Sequence, residues 1–383
     1  MKLKYLYTVL LAVLAIVSIY SCQKKVDIKA TSTNYNILVV EGLINIADST
    51  KIKLSRTVVL GNKTTASPEG GATISIETTQ ATVATLQEKT KGTYVTPVLN
   101  LDKTKQYRLR IKTTNGKTYL SDLVDAKITP PIDSLGYTFN DRGMLIHLNS
   151  HDDTNNSRYY LYNFTETWMF HADHWSQYIT NGSSLVPRTQ QQQVYYCFNN
   201  DTSKNVITYS TAALTRDVVN KVPITTIDYS SKRMQVRYSI MVTQTALTKD
   251  AYTFWENMKT GTETLGSIFD TQPSTIPGNI HNIADLKEPV IGYIGAGTIQ
   301  SKRIFIDKNN LPSTFKFVSP NPCQVDSARN DQLSKLIIPN SAFPLYTIEP
   351  YFVNGNIAGY LYTTKECADC TLTGKVKQPS FWQ

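Results

Sequence analysis

The sequence predicts a mainly β chain: an N-terminal immunoglobulin-like β-sandwich over residues 36–129, then a second, fibronectin type III-like β domain over residues 130–383. The second domain is expected to carry an insertion near 171–205, one short helix near 249–260 and a Cys-containing C-terminal tail. Three observations predict this. The chain has 23 Tyr among 383 residues, with abundant Thr and Ser, a composition that favours pleated, half-buried surfaces over helices. Short apolar–polar alternations recur about every ten residues, the spacing of sandwich strands. Pro130-Pro131 then interrupts the pattern, and a new run of alternations begins.

The first residues read as an export signal rather than as part of a fold. Lys2 and Lys4 form a positive flank, residues 6–20 form an apolar run, and Ser21 precedes Cys22. That run of 15 residues falls short of the ~20 that a helix needs to cross a bilayer core. Ile19-Tyr20-Ser21-Cys22 resembles a bacterial lipobox, so residues 1–21 are expected to be removed and Cys22 to carry lipid. Residues 22–35 are polar and read as a tether.

From residue 36 the alternation begins, with Ile52 and Leu54 set among lysines, then Ile74 and Ile76, then Tyr107, Leu109 and Ile111. Asn115-Gly116 predicts a two-residue hairpin turn, because both of its central positions need positive φ. Beyond Pro131 come strands near 132–139 and 144–149, a polar loop from His151 to Ser157, and a long Tyr-rich strand to Phe170. The insertion includes four consecutive glutamines from Gln190. Met234 to Gln244 alternates as a strand, and the helix follows: Thr248 caps, Tyr252, Trp255 and Met258 recur along it, and Gly261 is positioned to end it.

Charge and motifs narrow the function. The formal charge is +9, or +7 once Lys2 and Lys4 leave, but basic residues never run longer than two, so a nucleic-acid groove is not expected. After lipidation four cysteines remain, Cys197, Cys323, Cys367 and Cys370, and an exported compartment favours their pairing as disulfides in one of three connectivities. Cys367-Ala368-Asp369-Cys370 has CxxC spacing, yet no neighbouring pair completes a zinc site. His171 and His174, flanked by Trp168 and Trp175, are the candidate ligand-binding residues: an i, i+3 imidazole pair for a metal, for which no third ligand is identifiable, an aromatic platform for a sugar ring, or ordinary packing. Asp152-Asp153 lacks the spacing of a calcium loop. Gly292 to Gly297 is not followed by the helix that a phosphate cradle requires. Neither a G-x-S-x-G elbow nor HExxH occurs, so no cofactor and no metal are expected.

Several stretches together resemble an uncharacterised lipoprotein family of Bacteroidota, the domain of unknown function numbered four-two-four-nine. They are Val39-Val40-Glu41-Gly42, Gly266 to Asp270, Pro273-Ser274, Gly278-Asn279-Ile280, Gly292-Tyr293, Lys302-Arg303-Ile304, Asp369-Cys370 and Pro379-Ser380-Phe381-Trp382. The resemblance implies a lipoprotein of the outer membrane, often encoded beside TonB-dependent transporters, and no catalytic residues. Lys24 and Lys25 stand where acidic residues would resemble a surface-export signal, which leaves both the periplasmic and the cell-surface face open. The expectation is a non-enzymatic binding or assembly component that engages a transporter, a glycan or a peptide; the alternative is an exported hydrolase acting on glycan or peptide.

Overall fold

The structure, a computed structural model, describes residues 36–58, 67–180, 184–263, 278–318, 323–335 and 345–382. Cys22, the signal segment and the tether lie outside the described residues, as do Gly266 to Asp270 and Pro273-Ser274. The chain is mainly β, built from several sheets.

The N-terminal strands do not form the expected open sandwich. Hydrogen bonding runs from Gln106–Lys112 through Thr73–Glu77, Thr82–Thr90, Thr93–Val98, Ser49–Arg56, Leu38–Asn45, Gly295–Gly297 and Val124–Lys127, then back to Gln106–Lys112. This is a closed circuit of eight strands, a barrel. Period-2 alternation fills it: Ile52 and Leu54 point inward from one strand, Tyr107, Leu109 and Ile111 from another, and all are buried. Buried tyrosines explain part of the Tyr richness, because each ring fills the core while its hydroxyl pins a loop. Tyr94 donates to the Glu69 carbonyl and accepts from the Ala72 amide, both at 2.9 Å, and Tyr107 donates to the Asp102 carbonyl at 2.7 Å.

The sandwich expectation failed because alternation specifies strands but not what closes a sheet. The closing strand, Gly295–Gly297, comes from far downstream and pairs in parallel with Leu38–Asn45 (Leu43↔Gly295) and with Val124–Lys127 (Ala296↔Ala126). Ile280–Asn282 and Val290–Ile291 also join this first unit, so a boundary at residue 130 leaves out part of the barrel. The Asn115-Gly116 hairpin forms with a different loop. Thr113 N–H bonds Lys117 O, the Gly116 amide closes a turn on Thr113 O, and only Gly116 has positive φ (+84°). That is a three-residue loop with a glycine bulge, which requires one left-handed position rather than two.

The second unit has two antiparallel sheets around one core. Three strands pair in the order Ile132–Asn140, Gly143–Asp152, Asp217–Asp228. The other sheet runs Tyr196–Thr202, Tyr159–His171, Arg237–Ala246, Ile299–Asp307, with Ile207–Ser210 also on Tyr159–His171. Met144, Ile146 and Leu148 of the first sheet share a buried cluster with Tyr160, Tyr238, Ile240 and Val242 of the second. Strand Tyr196–Thr202 lies inside the region expected to be an insertion, which also holds the hairpin Tyr178–Thr180/Leu185–Pro187 and the short 3-10 turn Gln190–Gln192. At the neck between barrel and second unit, Thr129 N–H donates to Thr298 Oγ1 at 2.9 Å and Thr129 Oγ1 donates to Thr298 O at 2.5 Å.

The helix spans Lys249–Glu263. Thr248 caps it as expected, accepting from Ala251 N–H at 3.2 Å, but Gly261 lies within it and does not end it. Its most buried side chains are Ala251 and Phe254, while Tyr252, Trp255 and Met258 remain half-buried.

The C-terminal region adds the sheet Asp326–Arg329, Asn356–Thr364, Leu345–Val353 and is tied down by two disulfides, Cys197–Cys370 and Cys323–Cys367. The two CxxC cysteines therefore bond to different partners, which rules out a redox pair or zinc half-site between them. Trp382 is buried edge-on against Phe198 and Phe305 at 5.1 and 5.5 Å, and Arg303 lies 3.8 Å over the Phe381 ring.

Candidate functional site

Where barrel, second unit and helix meet, they enclose a cleft of about 520 Å³. The barrel contributes Glu41, Gly42, Leu43 and Lys51; the second unit contributes Leu161, Asn163, Thr243 and Thr245; the helix contributes Ala251 and Trp255. Tyr293 and Gly295 of the closing segment complete the floor.

Glycine is required here by close backbone approach. A Cβ on Gly292 (φ +140°) would lie 2.2 Å from the Val40 carbonyl oxygen, and one on Gly278 would lie 1.9 Å from the Gly292 carbonyl oxygen. Three chain segments therefore stack backbone to backbone. The buried Asn279 side chain acts as an extra strand rung, donating to Ile294 O at 2.9 Å and accepting from Ile294 N–H at 2.8 Å. The stretches Val39 to Gly42, Gly278 to Ile280 and Gly292-Tyr293, which carry the family resemblance, thus meet at one seam, and Tyr293 projects from it into the cleft.

The aromatic wall is held from behind. Phe254 packs on Tyr293 at 5.6 Å and edge-on to Trp255 at 5.4 Å, and Thr248 Oγ1 lies 3.5 Å from the Tyr293 hydroxyl. Burial pushes the Tyr293 phenol up, so it stays protonated and can donate. Lys204 is paired to Asp201 at 3.1 Å, whereas Glu41 and Lys51 make no ion pair among the described residues. The lining is thus aromatic and aliphatic, with amides, hydroxyls and the charged Glu41, Lys51 and Lys204 between, and includes no histidine or cysteine. Such a surface can hold and orient an amphipathic ligand.

The residues picked from sequence are only partly brought together. His171 and Trp175 join one aromatic cluster through Tyr195 and Tyr196. His171 stacks on Tyr195 at 4.9 Å, and Trp175 lies 5.0 Å from Tyr195 and 6.5 Å from Tyr196. Trp168 instead packs at the core edge under the Arg233 guanidinium, 5.5 Å away, and His174 is fixed by its backbone, donating to Cys367 O at 3.0 Å. No group of three metal-ligating side chains occurs among the described residues. Asp152 is saturated by its own turn: it accepts from Thr154 N–H and Oγ1 and from the amides of Asn156 and Ser157.

Sequence reasoning missed Tyr195 and Tyr196, although adjacent aromatics beside Cys197 could have flagged them. It also missed the cleft, which is assembled from segments that no local pattern links.

No curated protein matches the chain. Among solved structures, the adhesin InvE of Yersinia pseudotuberculosis aligns at 11% identity over 55% of this chain, with a TM-score of 0.14, and that likeness carries no weight. The chain spans 54% of the length of that structure. A family model described as "Domain of unknown function (DUF4249)" matches residues 23–303, a stretch that takes in the whole barrel, the seam and the cleft, and the chain therefore belongs to the DUF4249 family.

Proposed function

We propose that this chain is an outer-membrane lipoprotein, anchored by lipid on Cys22, that acts as a non-enzymatic binding or assembly component accessory to a TonB-dependent transporter. The observation that carries the binding role is the cleft: about 520 Å³, walled by Trp255, Tyr293, Leu43 and Leu161, with amides, hydroxyls and the charged Glu41, Lys51 and Lys204 between them. An apolar concavity with a few placed polar groups is the usual form of a ligand site. The anchor reading rests on Lys2, Lys4, the apolar run and Cys22. Among the described residues no helix is long and apolar enough to cross a membrane. The second unit reads as fibronectin type III-like, a reading supported by its two antiparallel sheets, of three and five strands, packed around one core.

The test is co-purification from detergent-solubilised native membranes. The full chain is expected to bring down a TonB-dependent transporter, and a Trp255→Ala, Leu43→Arg double variant that still melts like the parent is expected to lose it. Equal recovery by the variant removes the cleft from the proposal. A Cys22→Ala chain that stays on membranes through a high-salt wash removes the anchor.

A further inference from the structure

A second concavity, of about 480 Å³, lies on the far end of the second unit from residues that the cleft does not use. It is bounded by the end of strand Tyr159–His171, the 3-10 turn Lys232–Met234 and residues 308–317. Its charge is one-sided: Lys308 and Lys316 line it and no carboxylate does. Both lysines are exposed and neither forms an ion pair among the described residues. Just behind, Lys232 Nζ sits 4.4 Å over the Phe170 ring and 5.8 Å from that of Phe317, its charge partly offset by Asp173.

Between the lysines the surface alternates ring faces with neutral hydrogen-bonding groups. Tyr229 and Phe317 are half-buried, and Phe315, buried beneath, supports Tyr229 at 4.7 Å. Ser231, Asn309 and Ser313 supply hydroxyls and an amide. His171 closes one end. Its Nδ1 lies 2.6 Å from the Ala172 carbonyl oxygen and so carries the ring proton, which leaves Nε2 as an acceptor. The same ring stacks on Tyr195, which joins the neighbouring cluster where Trp175 and Tyr196 are 42% and 43% exposed.

We propose that this groove binds an anionic saccharide, one bearing carboxylate or phosphate groups on its rings. The apolar faces of sugar rings match exposed aromatic faces, their hydroxyls match the serines, Asn309 and His171 Nε2, and unpaired lysines match the acid groups. An acyl chain would leave those polar groups unpaired. A peptide docking as an added strand needs a free strand edge, whereas this groove is lined by turns and loops.

The experiment is calorimetric titration of the full chain in detergent with oligogalacturonate, its fully methyl-esterified counterpart, a phosphorylated mannose oligosaccharide and oligoglutamate. Oligogalacturonate or the phosphorylated sugar is expected to bind, with affinity falling as salt rises, and which of the two binds assigns the acid group. The methyl ester is expected to bind far more weakly. Lys308→Ala with Lys316→Ala should lower affinity roughly five- to tenfold, from the loss of two exposed ion pairs. Phe317→Ala should weaken the methyl ester and the acid alike. Because both lysines are exposed, an unchanged melting temperature is expected and separates a binding defect from unfolding. Equal binding of acid and ester, binding of oligoglutamate alone, no binding of either anionic sugar, or a double variant that binds like the parent would each overturn the proposal. None of these outcomes depends on Trp255 or Leu43.

Discussion

Replacing Gly292 by Ala should open the barrel along the seam where residue 38–45 backbone meets residue 290–297 backbone. The added Cβ would sit 2.2 Å from the Val40 carbonyl oxygen, where ordinary contact begins at 3.4 Å, so the segments must separate by about 1.2 Å (3.4 − 2.2). The residue also holds φ +140°, a conformation that costs a side-chain-bearing residue on the order of 1–3 kcal/mol. Parallel pairs flank the site, Val39↔Ile291 on one side and Leu43↔Gly295 on the other, and weakening two such hydrogen bonds adds about 1 kcal/mol each. The sum is about 3–5 kcal/mol, a large share of the stability of an ordinary domain. Urea unfolding at neutral pH measures the loss, and hydrogen exchange locates it. The Ile46 and Thr298 amides, which bond to Gly297 O and Lys127 O at 3.1 and 2.9 Å, should exchange faster. Gly116→Ala is the control: φ is +84°, yet nothing lies within 4 Å of its Cβ, so only the backbone term of about 1 kcal/mol applies. If both variants lose the same small amount, the seam does not bear on stability as argued.

Further expectations follow from the core and the cross-links. Tyr94→Phe removes a donor and an acceptor from a ring with no exposed surface and should cost about 2 kcal/mol in urea unfolding, since the Ala72 amide loses its partner. The Cys197–Cys370 and Cys323–Cys367 bonds close separations of 173 and 44 residues, so removing the first should cost about 1 kcal/mol more than removing the second in paired Cys→Ala variants. His147 is buried with Nδ1 unpartnered, and burial, aided by Lys221, holds its imidazole below the usual value. Below pH ~6.5 the unfolded chain takes up a proton that the folded chain refuses, so stability falls as pH drops through that range. His147→Leu should flatten that part of the pH–stability curve, and an unchanged slope would contradict the assignment.

What the sequence reveals here depends on how local the signal is. Strands such as Ser49–Arg56 and Gln106–Lys112 are legible because one face is buried, and period-2 alternation records that directly. The Thr248 cap is legible for the same reason, whereas Gly261 misleads because tertiary context overrides a propensity of about 1 kcal/mol. Gly295–Gly297 and Val290–Ile291 are too short to carry a period, so nothing local marks the strand that closes the barrel. The candidate sites follow the same logic. His171 and Trp175 stand close together in sequence and were found. Tyr195 and Tyr196 reach them only through the pairing His171↔Tyr196, and the cleft draws on stretches from Glu41 to Ile299. The glycines of the seam were visible as letters, but their purpose, backbone touching backbone, exists only once distant segments are side by side.

The Thr129–Thr298 clasp bears on the order of events when this chain acquires its shape. Leu43 and Gly295 are 252 positions apart (295 − 43), so joining them directly from an open chain carries a large loop-closure cost and would be slow. Most of the second unit, from Ile132 to Ala246, lies within that interval, its last strand, Ile299–Asp307, follows directly after it, and the unit has its own core. Once it folds, the chain entering its first strand, Ile132–Asn140, and the chain entering its last, Ile299–Asp307, are fastened together at the clasp, and the strands leading into them, Val124–Lys127 and Gly295–Gly297, are delivered already aligned as Ala296↔Ala126. The later-starting unit thus serves as a template for the earlier one. Until it finishes, Leu38–Asn45 waits with one edge unpaired, the stage at which a newly emerged chain is most open to association with its neighbours.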